Sequence, residues 1–137
     1  MNELFERAKR AALSAYAPYS RFRVGAALLA ESGAIYTGCN VENRSYGLTI
    51  CAERNALALA VGSGERSFAA IAVAALDSDV PVGPCGACRQ VLSEFMKPEA
   101  QVRFGGACGK IVDTTIGILY PYDSLQGFAP PEIGNTL

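Results

Sequence analysis

Cys51, followed by Ala52 and Glu53, and the later run Pro84-Cys85-Gly86-Ala87-Cys88 constrain this chain more than any other feature. Cys85 and Cys88 are spaced so that both sulfurs fall on one face of a helix start and can share an ion. Cys51 opens a separate Ala- and Leu-rich helical run, so the fold has to bring two helix starts together. Backbone N–H groups and partial positive charge at those starts favour thiolate over thiol, whose ordinary pKa is about 8.5. Three sulfur ligands describe an open zinc site, because closed structural sites use all four tetrahedral positions while hydrolytic sites keep one for water. Glu53 beside the metal can move that water's protons. Three thiolates around a dication leave a surplus of one negative charge. Arg54 and Arg89 are placed to offset it by donating hydrogen bonds to sulfur, and the role is expected to fall to Arg54.

Other nucleophile schemes are excluded by composition. The chain contains no His, which removes Ser-His-Asp and Cys-His arrangements and imidazole-ligated metals together. Lys plus Arg number 12 against 13 Asp plus Glu, with no basic run, so the footprint for a polynucleotide backbone is missing and a small substrate is expected. Met1 to Glu6 lack the basic start and apolar stretch of a secretory signal, and no segment approaches the roughly 18 apolar residues of a membrane helix. A soluble, cytoplasmic protein is the expectation. In a reducing compartment its five cysteines point to metal binding or catalysis rather than disulfides. A length of 137 residues suits a single domain spanning 1–137.

Leu4, Phe5, Ala8, Ala11, Ala12 and Ala15 recur at helical spacing behind Asn2, an N-cap residue, and predict a helix over about the first 16 residues, stopped by Pro18. Val24 to Ala30 and Ala34 to Cys39, joined by Glu31-Ser32-Gly33, read as a β-hairpin. Cys51 to Val61 predicts a helix ended by Gly62-Ser63-Gly64. Phe68 to Leu76 is wholly apolar, as in a central strand covered on both faces. Pro84 opens a further helix to about Met96, then Gln101 to Gly105 and Lys110 to Thr114 read as short strands, and the tail from Tyr120 lacks periodicity. These elements add up to a three-layer α/β/α fold with a mixed central sheet of about five strands.

Several residues carry two readings. Cys39 or Cys108 could complete a closed, structural zinc site, although Glu53 would then lack a purpose; otherwise both read as small buried hydrophobes. Cys85 and Cys88 alone fit a redox pair, which leaves Cys51 and Glu53 unexplained. By pattern alone, Phe22 and Tyr46 are equally core aromatics, Asn40 and Glu42 turn polars, and Arg54 and Arg89 solvated helix charges.

Cys-x-Glu followed by Pro-Cys-x-x-Cys is the three-cysteine form of the zinc-deaminase signature, in which the Glu carries protons and is not a ligand. The chain resembles the small, homotetrameric, zinc-dependent cytidine deaminases over most of its length. The likeness rests on Ala17-Pro18-Tyr19-Ser20 with Phe22 and Val24-Gly25-Ala26, on Gly38-Cys39-Asn40-Val41-Glu42-Asn43, on Cys51-Ala52-Glu53-Arg54, and on Pro84-Cys85-Gly86-Ala87-Cys88-Arg89-Gln90. It implies hydrolysis of cytidine and 2'-deoxycytidine to uracil nucleosides in pyrimidine salvage, with one zinc per chain. It also implies that Phe22 lines the pyrimidine and sugar pocket, Asn40 and Glu42 hold a ribose hydroxyl, Tyr46 borders the site, and the Ala52 amide meets the pyrimidine carbonyl. The family's tail places an aromatic three residues after a Leu-Leu-Pro; here Ser124 holds that position after Pro121 and Phe128 is the next aromatic, so the wall against the base is altered. A mean hydropathy of +0.19 with 18% charged residues implies apolar surface buried between subunits, and the resemblance sets their number at four.

Overall fold

The computed structural model describes residues 1–128. Its centre is a five-stranded sheet in the order β2-β1-β3-β4-β5, built from β1 (Val24–Ala30), β2 (Ile35–Cys39), β3 (Phe68–Ala75), β4 (Met96–Gly105) and β5 (Ile111–Thr115). Only β3 and β4 run parallel, because α3 (Gly86–Phe95) crosses between them; the hairpin and the other neighbours pair antiparallel. β3 is central and wholly apolar, with both faces covered. The expected mixed sheet between helical layers is therefore present.

α1 (Asn2–Ala12) covers one face, packing Leu4, Phe5 and Ala8 on Ala27, Ala70, Ala72 and Ala74. The other face carries α2 (Ala52–Gly62), α3 and a short α4 (Ile116–Leu119), which bury Ala52, Ala56, Leu92 and Ile116 against Leu28, Ile71, Val73 and Val102. Small residues let the layers approach. A Cβ on Gly38 would lie 2.5 Å from the Ala56 nitrogen, and one on Gly25 would lie 2.1 Å from the Ala8 carbonyl oxygen.

Departures from expectation have local causes. The first helix ends at Ala12, before Pro18, because Tyr16 leaves helical geometry to bond the 40s segment: its N–H donates to Asn40 O, and the Glu42 N–H donates to Tyr16 O. Met1, not Asn2, caps α1, and the Asn2 side chain accepts from Arg103. β4 starts earlier than expected, with a register irregularity opposite Phe68 to Ala70 that accommodates Pro98. α4 was unmarked by periodicity, although Thr115 Oγ1 accepts from the Ile118 N–H as an N-cap does. Among the described residues no helix is long and apolar enough to cross a membrane.

Candidate metal centre and active site

Cys51 and Cys85 are the N-cap residues of α2 and α3, and both take extended backbone angles, φ −69° and −67°. Each carbonyl accepts the first helical hydrogen bond, from Asn55 N at 3.1 Å and from Arg89 N at 2.9 Å. Two helix N-termini thus converge with their unpaired amides toward the same point. Cys88, in the first turn of α3, is fully buried.

The Cys51, Cys85 and Cys88 sulfurs all lie within 4.8 Å of one another, and the Cys51 and Cys85 sulfurs are 3.7 Å apart. Zinc–sulfur bonds of about 2.3 Å at tetrahedral angles place sulfurs about 3.8 Å apart, a spacing that the Cys51–Cys85 pair already has. Electrostatics agree. With no cation, a hydrogen bond from Cys88 and the nearby Arg54 hold the Cys51 thiol down at about 5, while the same bond and burial push Cys88 strongly up. A dication removes that conflict by allowing all three sulfurs to ionise.

Glu53, in the first turn of α2, is 4% exposed. Burial pushes its carboxyl up to about 7, with the negative charge of Cys51 adding to the rise. Arg54 Nη2 donates to Cys51 Sγ at 3.5 Å. Arg54 Nε is buried without a hydrogen-bond partner among the described residues. Arg89 takes a different path from the one expected: Nε donates to Pro84 O at 2.8 Å and Nη1 to Leu119 O at 3.1 Å. Its fork braces the turn before Cys85 against α4 rather than the sulfurs, because it sits in the first turn of α3 within reach of both carbonyls.

Cys39 and Cys108 do not join the sulfur group among the described residues. Cys108 is exposed in the turn before β5, contrary to its reading as a buried hydrophobe, and Cys39 is half-buried at the end of β2. Cys51 stands with Cys85 and Cys88, which a two-cysteine redox pair does not require.

The other candidates gather around the segment 40–50. Val41 and Ile50 exchange backbone hydrogen bonds of 2.9 and 3.0 Å, so Cys51 follows directly on a bridge whose opposite residue lies between Asn40 and Glu42. Asn40 Oδ1 accepts from Val24 N at 2.9 Å and Nδ2 donates to Phe22 O at 2.8 Å, so this buried amide fixes the backbone on both sides of Arg23. Glu42 accepts from Tyr19 N at 2.9 Å, from Ser20 N at 3.3 Å and from the Ser20 hydroxyl. The Ser20 hydroxyl is the main reason that its pKa lies below the usual carboxylate range, and the two amides reinforce it.

Glu42 lines a cavity of about 190 Å³ with Tyr19, Ser20, Asn43, Tyr46 and Thr49. Tyr46 is 74% exposed, with its ring 5.7 Å from that of Tyr19, so it is no core aromatic; Phe22 is half-buried. Ala52 is the first residue of α2, where the amide has no intrahelical acceptor. A larger cleft of about 480 Å³ lies between α3 and the tail, where Phe128 sits with Gln90, Ser93 and Tyr120. No thiol lines it, so size alone does not mark the site.

Two contributors carried no assigned role in the sequence. Asn55 Nδ2 donates to Cys39 O at 2.8 Å and ties α2 to β2. Ser20 Oγ also accepts from Phe22 N at 3.0 Å, a side chain to i+2 turn that a Ser before an aromatic hints at.

The pattern of known proteins matches this geometry. Residues 1–103 match the family model described as the cytidine and deoxycytidylate deaminase zinc-binding region. The cytidine deaminase of Sporosarcina psychrophila is 51% identical over 121 residues, 88% of each chain, and that of Halalkalibacterium halodurans is 50% identical over 118 residues, 86% of this chain and 89% of the other. A crystal structure of cytidine deaminase from Burkholderia pseudomallei superposes with a TM-score of 0.83 at 50% identity, covering 88% of this chain and 95% of that one. With a zinc-sized sulfur triangle at two helix starts and a buried carboxyl beside it, the chain belongs to the zinc-binding cytidine and deoxycytidylate deaminase family.

Proposed function

We propose that this chain hydrolytically deaminates cytidine and 2'-deoxycytidine, releasing ammonia, and that residues 1–137 work as one domain holding one zinc through Cys51, Cys85 and Cys88. The observation that carries the reading is the sulfur triangle, all within 4.8 Å, with Glu53 buried one residue into α2. Zinc held there supplies Lewis acidity that brings the pKa of water toward neutrality. Glu53, with its carboxyl near 7 in the metal-free site, is suited both to accept and to release a proton. It takes one proton from the attacking water as the oxygen bonds to C4 of cytosine and gives it to the ring nitrogen, then takes the second proton from the new C4 hydroxyl and gives it to the departing amine. The C4–N bond then breaks and ammonia leaves.

Around that step, Ala52 offers its free amide to the pyrimidine carbonyl, Phe22 and Tyr46 wall the pocket, and Asn40 and Glu42 hold the sugar. Glu42 supports this role because a carboxylate has about four acceptor positions and the protein fills only part of them. Its charge disfavours a phosphate at that end, so a nucleoside is preferred to a nucleotide. Arg54 stabilises the sulfurs directly and Arg89 through the Pro84 turn. The setting is a cytoplasmic homotetramer that recovers pyrimidine nucleosides; the exposed apolar side chains of Val41, Leu48 and Ile50 support association of subunits.

Purified protein is expected to contain zinc by elemental analysis and to release ammonia from cytidine and 2'-deoxycytidine faster than from deoxycytidylate. Glu53→Gln should keep the zinc and lose roughly 10²–10⁴ in turnover. Wild-type protein without zinc and inert toward cytidine defeats the proposal. A second reading keeps the chemistry and changes the substrate to another aminopyrimidine or modified nucleoside. It is favoured by Ser124 at the tail position of the family's aromatic, with Phe128 80% exposed in the other cleft. Relative rates of ammonia release across a nucleoside panel separate the two.

A further inference from the structure

We infer that Ser20 is a positioning residue that sets the sugar-binding carboxylate and the pocket wall together, through one hydroxyl that donates to Glu42 while accepting from the Phe22 amide. The inference rests on the reading of Glu42 as the acceptor of a sugar hydroxyl. A serine hydroxyl has a single proton. Ionised Glu42 can only accept, so that proton goes to Oε1, and the Phe22 N–H, 3.0 Å away, takes a lone pair of the same oxygen. Neither partner competes with the other.

Other bonds hold each group separately, as the Tyr19 amide does for Glu42, while the Ser20 hydroxyl touches both. Arg21 stands between Ser20 and Phe22 with φ 57°, the one non-glycine in the left-handed region among the described residues, and its N–H donates to Ala17 O at 2.9 Å. A non-glycine residue there costs about 1–2 kcal/mol and persists where its neighbours hold it. Besides that Ala17 bond, the turn is held by Ser20, whose amide and hydroxyl donate to Glu42 and whose oxygen accepts from Phe22, and by Arg23, whose amide and guanidinium donate to Asp77. Asn40 then secures the Phe22 carbonyl at 2.8 Å. Glu42 and Ser20 both line the cavity of about 190 Å³, so the carboxylate borders open space that a sugar hydroxyl can enter. Charge-assisted hydrogen bonds of this type are the stronger ones, which suits a group that must stay aimed while a substrate hydroxyl competes for it.

The test is the kinetics of zinc-loaded Ser20→Ala, Ser20→Thr and Glu42→Gln on cytidine and on analogues that each lack one sugar hydroxyl. Ser20→Ala is expected to raise KM for cytidine about 10-fold with kcat within about 2-fold and zinc content unchanged. The penalty should shrink to about 2-fold on the analogue lacking the hydroxyl that Glu42 accepts. Ser20→Thr keeps the hydroxyl and should return KM to within about 3-fold of wild type. If Glu42→Gln discriminates among the analogues while Ser20→Ala leaves KM unchanged or penalises all substrates alike, the role of Ser20 is overturned and that of Glu42 stands. If Glu42→Gln itself penalises all substrates alike, the sugar-hydroxyl reading falls and the inference falls with it. A rise in KM that Ser20→Thr does not rescue also overturns it. Ser20→Thr separates loss of the hydroxyl from loss of folding, because melting temperature and zinc content are followed in each variant.

Discussion

Arg54 directs its guanidinium at Cys51 with a buried Nε still unpaired, whereas Arg89, with the same side chain in the first turn of the other helix, spends its fork on carbonyls. The two are not interchangeable, although both sit in the first turn of a helix that a proposed ligand caps. Arg54→Ala should weaken zinc binding by roughly 10- to 100-fold in competition with a chelator; unchanged zinc affinity and turnover would exclude its role at the sulfurs. Glu53 carries a stability signature as well. Its folded pKa of about 7 lies above the ordinary 4.5, so in metal-free protein its burial costs nothing below pH 4.5. Stability then falls as pH rises toward 7, by on the order of 3 kcal/mol from this group. Denaturant melts of metal-free Glu53→Gln should lack that part of the slope between pH 4.5 and 7, and identical slopes would count against a buried, proton-holding carboxyl.

At the scale of elements, the site depends on how closely α2 rides on the hairpin. Ala52 O lies 2.7 Å, and Ala56 N 2.5 Å, from where a Gly38 Cβ would be, and both are backbone atoms that cannot swing aside. Gly38→Ala should therefore shift α2, and with it Cys51 and Glu53, at a cost of roughly 1–3 kcal/mol in chemical unfolding. Zinc affinity should fall in the same variant; retention of full stability would show that α2 has slack. Hydrophobic pattern made the hairpin, β3, α2 and α3 legible, since each is an apolar run of characteristic period between turn residues. It did not reveal the end of α1, because Leu13 to Ala15 keep helical spacing while Tyr16 is claimed by Asn40 and Glu42 far along the chain. Nor did it reveal the early start of β4, where Pro98 argues against a strand but falls at a register irregularity.

Across the whole molecule, apolar side chains remain uncovered along the segment from Val41 to Ile50 that leads into α2. Leu48 is 66% exposed and Ile50, bridged to exposed Val41, is 43% exposed, as expected of a surface that another subunit covers. Light scattering of the wild type should give a tetramer, and the Leu48→Asp, Ile50→Asp double variant should give smaller species while keeping its zinc; a monomeric wild type would refute the assembly. The sequence by itself determined which three cysteines cluster, the carboxyl next to them, the strand count and the layered class, because coordination spacing and hydrophobic period are properties of short stretches. Only the tertiary structure decided that Asn40 locks the Phe22 turn, that the Ser20 hydroxyl bonds Glu42, that Arg89 braces Pro84 and that Cys108 faces solvent. Those outcomes depend on donors and acceptors brought together from distant parts of the chain, or on which surface a turn leaves uncovered, and no local pattern of residue types encodes such a meeting.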